Sequence, residues 1–489
     1  MAIDIAAVQK FKGTLSEKAD VVTRDSEKYE ESIKRWSAAA EKPAVSFPEI
    51  SWSRIYVDNQ SQGIIVFPTT PEEVSKTVLF SSDQGLELAV VGGGHATSGA
   101  SSTDGGLCLD LSKMRSVTVN EKAKTLTVGG GALWSDVDKE AAKFGLAAVG
   151  GTVNHTGVGG LTLGGGYGYL TPEFGMAIDN LLEVEVVLAD GSIVTASESE
   201  NPDLFWAARG AGLGFGVFTK FVFQGHDQTG PVWAGMLVFP KEQLDPLIKF
   251  SNKAIVDEGG KSAIFLGFGA PPPAFQPLIL AIVFYNGTEE EGKTYFKEVL
   301  DLNPLVDETG ARPYTSVNEL LNGPMFPGLR RTMKGSAFLA PLETKFAEGV
   351  YDDWLEFITQ NPDAGATMVL WEFMPFKKIL EVPQTATAFA NRGAYGNLAF
   401  GPGWTKPEND SICREWTRVM STKTRKELER KIAEGTDATT KTSVGEYGNY
   451  DNMGSGGQRI FGVNFPRLAE LKTKYDPNNL FSQGPSLVI

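Results

Sequence analysis

The stretch VVGGGHATSG, residues 90–99, closes an apolar run from Leu88 to Val91 with three consecutive glycines and a histidine. Glycines let the backbone take positive φ and come close to a ligand. Successive N–H groups in such a loop form a nest that can hold a pyrophosphate. The chain has only three histidines in 489 residues, so composition alone does not explain His95 at the tip of the loop. Taken alone, the stretch has two readings of equal weight: a nucleotide-binding loop with a reactive imidazole, or a glycine-rich turn with a solvated histidine. A second cluster, GGTVNHTGVGGLTLGGGYG over residues 150–168, shifts that balance. It is too long and too glycine-dense for an ordinary turn, and it offers a phosphate mainly backbone N–H groups. It is not a P-loop, because no Lys-Ser or Lys-Thr follows its glycines. The single Gly-Lys-Ser, Gly260 to Ser262, has Ile255 where the upstream glycine would stand. Gly157, Gly159 and Gly160 do not fit the G-x-G-x-x-G spacing of a Rossmann fingerprint either.

Further motifs occur in order around these clusters. They are GIIVFPTTPEEV (63–74), SSTDGGLCLDLS (101–112), DNLLEVEVVLADGS (179–192), NPDLFWAARG (201–210), GFGVFT (214–219), YGNYD (447–451), NFPRL (464–468) and KYDPNNLF (474–481). Together with the glycine clusters, they resemble the vanillyl-alcohol-oxidase/PCMH flavoproteins, specifically the berberine-bridge-enzyme-like branch, over most of the chain. The resemblance implies FAD as cofactor. It also implies an α+β fold: a PCMH-type FAD-binding domain of two α/β subdomains, plus a substrate domain with an antiparallel sheet covered by helices. The expected division is an FAD-binding domain at residues 1–228, a substrate-binding domain at 229–445, and a C-terminal segment, 446–489, that returns to the FAD domain.

Composition narrows the function class. A chain of this length suggests two or three folding units, and 42% hydrophobic residues can supply their cores. The net charge of −15 argues against nucleic acid, which selects basic faces, and against an anionic membrane surface. No run approaches the ~18 apolar residues of a membrane span. The first ten residues, MAIDIAAVQK, lack the basic and apolar regions of a signal peptide, so a cytoplasmic location is the expectation. Two cysteines, Cys108 and Cys413, suit a reducing compartment. With three histidines and two cysteines, no metal site is expected.

Local patterns place the motifs. Residues 14–42 are charged and read as a solvated surface helix. Residues 63–67 and 88–91 read as strands around a helix capped by Thr70, with Pro71 first and Glu73 in capping-box position. Val117 to Val128 reads as a hairpin, Ala132 to Phe144 as a helix closed by Gly145, and Leu182 to Thr195 as a hairpin with an Asp190-Gly191 turn. Residues 214–223 read as one more strand. Beyond His226, strand-like runs (Ala263 to Phe268, Leu278 to Tyr285, Met368 to Met374, Tyr395 to Phe400) alternate with charged helical stretches such as Glu289 to Leu300. Leu468 to Leu471 reads as a short helix.

The resemblance also implies roles for residues. Val91, Gly92, Gly93, Gly94, Ala96, Thr97, Gly99 and Ala100 would surround the pyrophosphate. Gly150, Gly151, Thr152, Asn154, Gly157, Gly159, Gly160, Leu163 and Gly164 would pass along the flavin and ribityl chain. Gly216 and Val217 would sit on the adenine side, and Asn449 and Tyr450 beside the flavin. His95 would carry the flavin on its 8α-methyl group; the alternative is a hydrogen bond to phosphate. Many members add a cysteinyl link, but the matching residue is Val153, so a single histidyl attachment is expected. Cys108 reads as a small buried hydrophobe. His155 either faces the flavin or caps its loop. Thr156 falls where a small residue leaves oxygen a path, which favours an oxidase.

For the proton-handling residue, Tyr447 and Tyr450 match the family's Tyr-x-Asn-Tyr element; each serves as base or simply packs near the flavin. Phe174 and Ala399 stand where relatives often carry Tyr and Gln or Glu. Asn397, two residues before Ala399, points to the same face of a strand, and Glu372 is a further candidate. The leading expectation is an FAD-dependent oxidase that takes hydride from a small organic substrate (an alcohol, amine or secondary metabolite) to flavin N5 and reduces O2 to hydrogen peroxide. A dehydrogenase or oxidative cyclase of specialised metabolism is the alternative within the fold. A flavin-binding protein with little catalysis is the alternative of another functional class. No G-x-S-x-G elbow supports a hydrolase.

Overall fold

Strands Ile64–Phe67, Leu88–Val91 and Leu107–Asp110 are apolar without polar alternation, except for the terminal Asp110, as strands buried on both faces must be. In the computed structural model, which describes residues 5–41, 63–270, 276–435, 444–451 and 454–488, they form a parallel sheet with Leu107–Asp110 in the middle. Asp20–Val22 joins its edge antiparallel, against Ile64–Phe67. Residues 42–62 belong to the expected FAD-binding unit and 436–443 to the expected substrate unit; both lie outside the described residues. The helix Pro71–Asp83 begins as the capping pattern requires, with the Thr70 hydroxyl accepting from the Glu73 N–H. The Glu73 carboxylate reaches one residue further back than a capping box, to the N–H of Thr69, and also takes the N–H of Ser16.

The segment 14–41 is not the solvated helix its charge suggests. It forms the edge strand Asp20–Val22, one turn of helix at Tyr29–Ser32 and a 3-10 turn at Ala38–Ala40. Val22, Tyr29, Ile33 and Trp36 are buried. The apolar residues in this stretch are too few and irregularly spaced for a helical stripe, so the chain makes its contacts one residue at a time.

A second sheet has the order Val117–Asn120, Thr125–Gly129, Val217–Gln224, Leu181–Val187, Ile193–Ser197, antiparallel throughout. Helices Trp134–Ala142 and Pro202–Ala211 pack against it through Trp134, Phe205 and Trp206, which meet Phe221 and Phe223. The C-terminal helix Phe465–Tyr475, longer than the short run read from the sequence, joins the same core through Leu468 and Leu471. Lys472, 3% exposed, fixes it there: its ammonium donates to the carbonyls of Gly214 and Phe481 and to Asp476.

The third sheet has eight antiparallel strands, with Leu278–Tyr285, Ser262–Gly269, Met368–Phe373 and Gly396–Gly401 at its centre and Lys334–Phe338 at one edge. The charged stretch after residue 288 breaks at Phe296 into two short helices, Glu289–Tyr295 and Lys297–Leu300. Period-two alternation sorts the two faces of the sheet. Ile264, Leu266, Val369, Trp371, Phe373, Leu398 and Phe400 face helices Leu244–Ala254, Thr344–Gln360 and Asp410–Glu434. Ala263, Phe265 and Leu370 face the glycine-rich half, where they meet Tyr167, Tyr169 and Tyr447. The site lies against this second face. Among the described residues, no helix is long and apolar enough to cross a membrane, and no group of metal-ligating side chains is assembled.

Candidate active site

The two glycine clusters touch. A Cβ on Gly93 would stand 2.3 Å from the Gly157 nitrogen, and one on Gly157 would stand 2.3 Å from the Gly93 nitrogen. Any side chain at either position would drive the loops apart. Each glycine is two residues from a histidine, and the contact brings these together: His95 Nε2 lies 2.8 Å from His155 Nδ1. Trp36 stacks on the His95 ring, with ring centroids 4.8 Å apart and planes within 8°. Arg331 lies over Trp36 at 5.0 Å. Burial, His155 and then Arg331 push His95 down to about 3, so its imidazole is neutral at physiological pH. Burial and Arg331 also lower His155.

Val91 ends its strand, and residues 92–98 follow as open loop. Gly94 has φ +68° and rests on the Arg35 side chain; its carbonyl accepts from the Trp36 N–H. Gly99 has φ +82°, and Ala100 donates its N–H to Ser98 Oγ. Among the described residues, the N–H groups of Gly93, Gly94, His95, Ala96 and Thr97 have no acceptor. Two nearby polar atoms, Ser101 Oγ and His155 Nε2, are buried with no hydrogen-bond partner among the described residues. Five free backbone donors and orphaned polar atoms beside them are what an anionic nucleotide needs, so these residues fit a dinucleotide such as FAD.

Gly150 and Gly151 pack on the Trp134 ring, Thr152 and Thr156 are half-buried, and Gly159, Gly160 and Leu163 belong to the helix Val158–Leu163. Gly164 ends that helix against the Asn449 amide, which donates to the Leu161 carbonyl. Asn154 turns away from the loop: its side chain bonds Glu319 and Asn322, and its N–H bonds the Asn318 carbonyl. It ties the second glycine loop to the segment 318–322. Gly216 and Val217 lie where the second sheet meets the first, with Val217 fully buried. Cys108 is buried behind the first loop, within reach of Thr103 and Arg35. Phe174 stacks on His226 at 3.8 Å.

Facing the loops is a cluster built from side chains. In register across the third sheet stand Phe265, Glu372, Asn397 and Ala337. Glu372, 2% exposed, accepts a 2.6 Å hydrogen bond from Tyr450 Oη. Burial pushes its carboxyl up to about 7, against the hydrogen bonds from Tyr450 and Asn397. Burial and the neighbouring Glu372 raise Tyr450 well above the usual phenol range. Tyr447 accepts from the Gly166 N–H and from Asn449, and stacks edge-on with Tyr167 and Tyr450. Tyr167 shares a 2.9 Å hydrogen bond with Tyr395. All four candidate catalytic residues (Glu372, Asn397, Tyr447 and Tyr450) therefore come together.

The segment carrying the tyrosines is anchored by Lys334, 7% exposed, which bonds Asp451 and Ser455 and pairs with Glu446. A Cβ on the next residue, Gly335, would lie 2.7 Å from Tyr450 Cβ. Lys334, Trp36, Arg331, Tyr395 and the His95–His155 contact are not legible as site residues in the sequence. Each sits in a stretch without a motif, or is defined by a partner at least 60 residues away.

Comparison with known proteins agrees with this geometry. Residues 63–197 match the FAD binding domain family, and residues 446–487 match the berberine and berberine-like family. The FAD-linked oxidoreductase pgmH of Aspergillus terreus is 33% identical over 435 residues, spanning 86% of this chain and 87% of the relative. This chain belongs to the berberine-like FAD-linked oxidoreductases. The (R)-6-hydroxynicotine oxidase of Paenarthrobacter nicotinovorans is 30% identical over 421 residues, 84% of this chain and 87% of the relative. The crystal structure of 6-hydroxy-D-nicotine oxidase from Arthrobacter nicotinovorans superposes with a TM-score of 0.79 at 26% identity, covering 96% of this chain and 98% of that one. The berberine-bridge-like protein 1 of Physcomitrella patens, at 21% identity and a TM-score of 0.79 over 97% of both chains, shares the fold. As a berberine-like oxidoreductase, the protein is an FAD-dependent enzyme.

Proposed function

We propose that this berberine-like enzyme is an oxidase that carries FAD on His95 through a single covalent link. It oxidises a small organic molecule bearing a hydroxyl or amine, with dioxygen as acceptor and hydrogen peroxide as product. The observation that carries the catalytic part is the 2.6 Å hydrogen bond from Tyr450 to a buried Glu372 on the sheet face opposite the glycine loops. FAD held by those loops supplies a two-electron acceptor for a substrate C–H bond. The chain supplies the proton acceptor. Tyr450 cannot rest as a phenolate, because burial and Glu372 oppose its ionisation. Glu372, held near 7, is partly ionised at neutral pH, the poise that general-base catalysis favours. The substrate proton therefore passes to the Tyr450 oxygen as the Tyr450 proton passes to Glu372, while Asn397 holds the carboxylate in place. The similarity to (R)-6-hydroxynicotine oxidase supports the oxidase reading. Valine at position 153, which cannot form a thioether, supports the single link.

The test is acid precipitation of the purified protein and of His95→Ala, followed by peroxide release with a panel of alcohols and amines. Yellow colour kept in the wild-type pellet and lost from the variant is the expected result. Colour released from both overturns the covalent link and leaves a dissociable FAD, as in the dehydrogenase alternative.

A further inference from the structure

We infer that Glu372 exchanges its proton with solvent along a buried path through Tyr169, Tyr314 and Asp138, three positioning residues that act through the base; the inference rests on the role of Glu372 proposed above. Among the described residues, Glu372 Oε2, Tyr169 Oη, Tyr314 Oη and Asp138 Oδ1 are each buried without a hydrogen-bond partner. Packing gives their order. Phe265 is the register partner of Glu372, and the Tyr169 ring packs on it at 5.2 Å. Tyr169 also touches Phe284 at 5.3 Å, and Tyr314 lies against the same Phe284 at 6.4 Å. Tyr314 opens the 3-10 turn Tyr314–Glu319. Asn318 of that turn donates a 2.8 Å hydrogen bond to the other carboxyl oxygen of Asp138, on the helix Trp134–Ala142. Electrostatic influence runs the same way: Glu372 and Arg312 act on Tyr169, Asp138 and Tyr169 on Tyr314, and Glu319 on Asp138. Glu319 is exposed and marks the solvent end.

Glu372 needs such a path because it is walled in. Tyr450 delivers the substrate proton to it, and Asn397 only donates a hydrogen bond. Burial lifts both carboxyls, Glu372 and Asp138, to about 7, so a proton passes between them with little change in free energy. Burial also keeps Tyr169 and Tyr314 protonated, and a phenol hydroxyl relays by accepting one proton as it gives another. Ordered water commonly bridges buried polar atoms of this kind. The transfer moves one proton and no electrons. When a substrate alcohol becomes a carbonyl, its hydride leaves to the acceptor and its hydroxyl proton reaches Glu372 through Tyr450. A half-turn about χ3 exchanges the two carboxyl oxygens. The proton then leaves from Oε2 and arrives on Asp138, each tyrosine hydroxyl gaining one proton and losing one. Reduction of dioxygen by that hydride to hydrogen peroxide consumes one proton, which returns by the same path, so a full turnover releases none.

The experiment is a pH jump on the holoenzyme, from about 5 to about 9, followed by time-resolved infrared absorption of the protonated carboxyl groups. Glu372→Gln identifies the Glu372 band, and Asp138→Asn that of Asp138. Tyr169→Phe and Asp138→Asn keep the shapes of the side chains and remove the relay. In both, the Glu372 band should decay roughly 10²-fold more slowly than in wild type. Tyr314→Phe, expected to slow it likewise, replaces either variant that does not fold. Decay at the wild-type rate in these variants overturns the path while the role of Glu372 stands. Slowing confined to Tyr450→Phe also overturns it, since the proton then leaves on the substrate side. If Glu372→Gln removes no band that titrates, the proposed base is overturned, and the inference with it.

Discussion

Around residues 92–97 and 150–157 the site is made of backbone; on the strands Met368–Phe373 and Gly396–Gly401 it is made of side chains. The loop half lacks side chains, so that Gly93 and Gly157 lie against each other and, among the described residues, the N–H groups of residues 93–97 have no acceptor. The sheet half sets one carboxylate on an apolar face, where Tyr450 and Asn397 hydrogen-bond it. The two halves should therefore fail differently. On the proposed roles, adding atoms to the loops should cost binding of the cofactor, and changing atoms on the sheet should spare the cofactor and remove chemistry.

The largest effect expected is at Gly157. In Gly157→Val the loops cannot meet, and the purified protein should be colourless by absorbance; a yellow, active variant would break the comparison at its strongest point. Next comes Glu372→Gln, which keeps the shape of the side chain and removes its basicity. Flavin content should be unchanged while kcat falls roughly 10²–10⁴-fold. In wild type, kcat/KM should fall as pH drops below about 7, the carboxyl then being protonated, and Glu372→Gln should lose that limb. A smaller effect is expected from Lys334→Met. Asp451, Ser455 and Glu446 lose their shared ammonium, the segment carrying Tyr450 loosens, and kcat should drop on the order of tenfold with the flavin retained. Flavin loss here would mean that the sheet half also holds the cofactor.

The smallest effect sharpens the energetics. The folded-state value of Glu372, about 7, lies above the ~4.3 of an exposed glutamate. Its contribution to stability is full below about 4.3 and is lost as pH rises through about 7. Glu372→Gln carries no such penalty, so it should melt higher than wild type at pH 8, by the equivalent of about 4 kcal/mol at most, and nearly level with it at pH 4. A gap that does not change with pH would show that Glu372 is not held neutral by burial.

How legible each half was follows from the same contrast. A backbone-built loop needs glycine at fixed places, and glycine clusters stand out in a sequence. His95 stands out because a rare residue sits at the tip of one. The strands and hairpins of the first half, from Ile64–Phe67 to Ile193–Ser197, were legible because their turns carry Asp190-Gly191, Gly145 and the Thr70 cap. The segment 14–41 was misread because charge spacing resembles a solvated helix, whereas its burial comes from scattered partners such as Tyr29 and Trp36. Glu372 and Asn397 could be named from strand periodicity, but nothing in either strand says that they are register partners or that Tyr450 lies on them.

The family and the cofactor class were therefore readable from the chain alone, through glycine clusters whose local conformational freedom only one residue type supplies. Tertiary structure alone decided which groups meet: His155 with His95, Tyr450 with Glu372, and Lys334 with Asp451. Those contacts join positions 60 to 117 residues apart. They depend on where whole sheets and loops dock, a long-range outcome that no local spacing encodes.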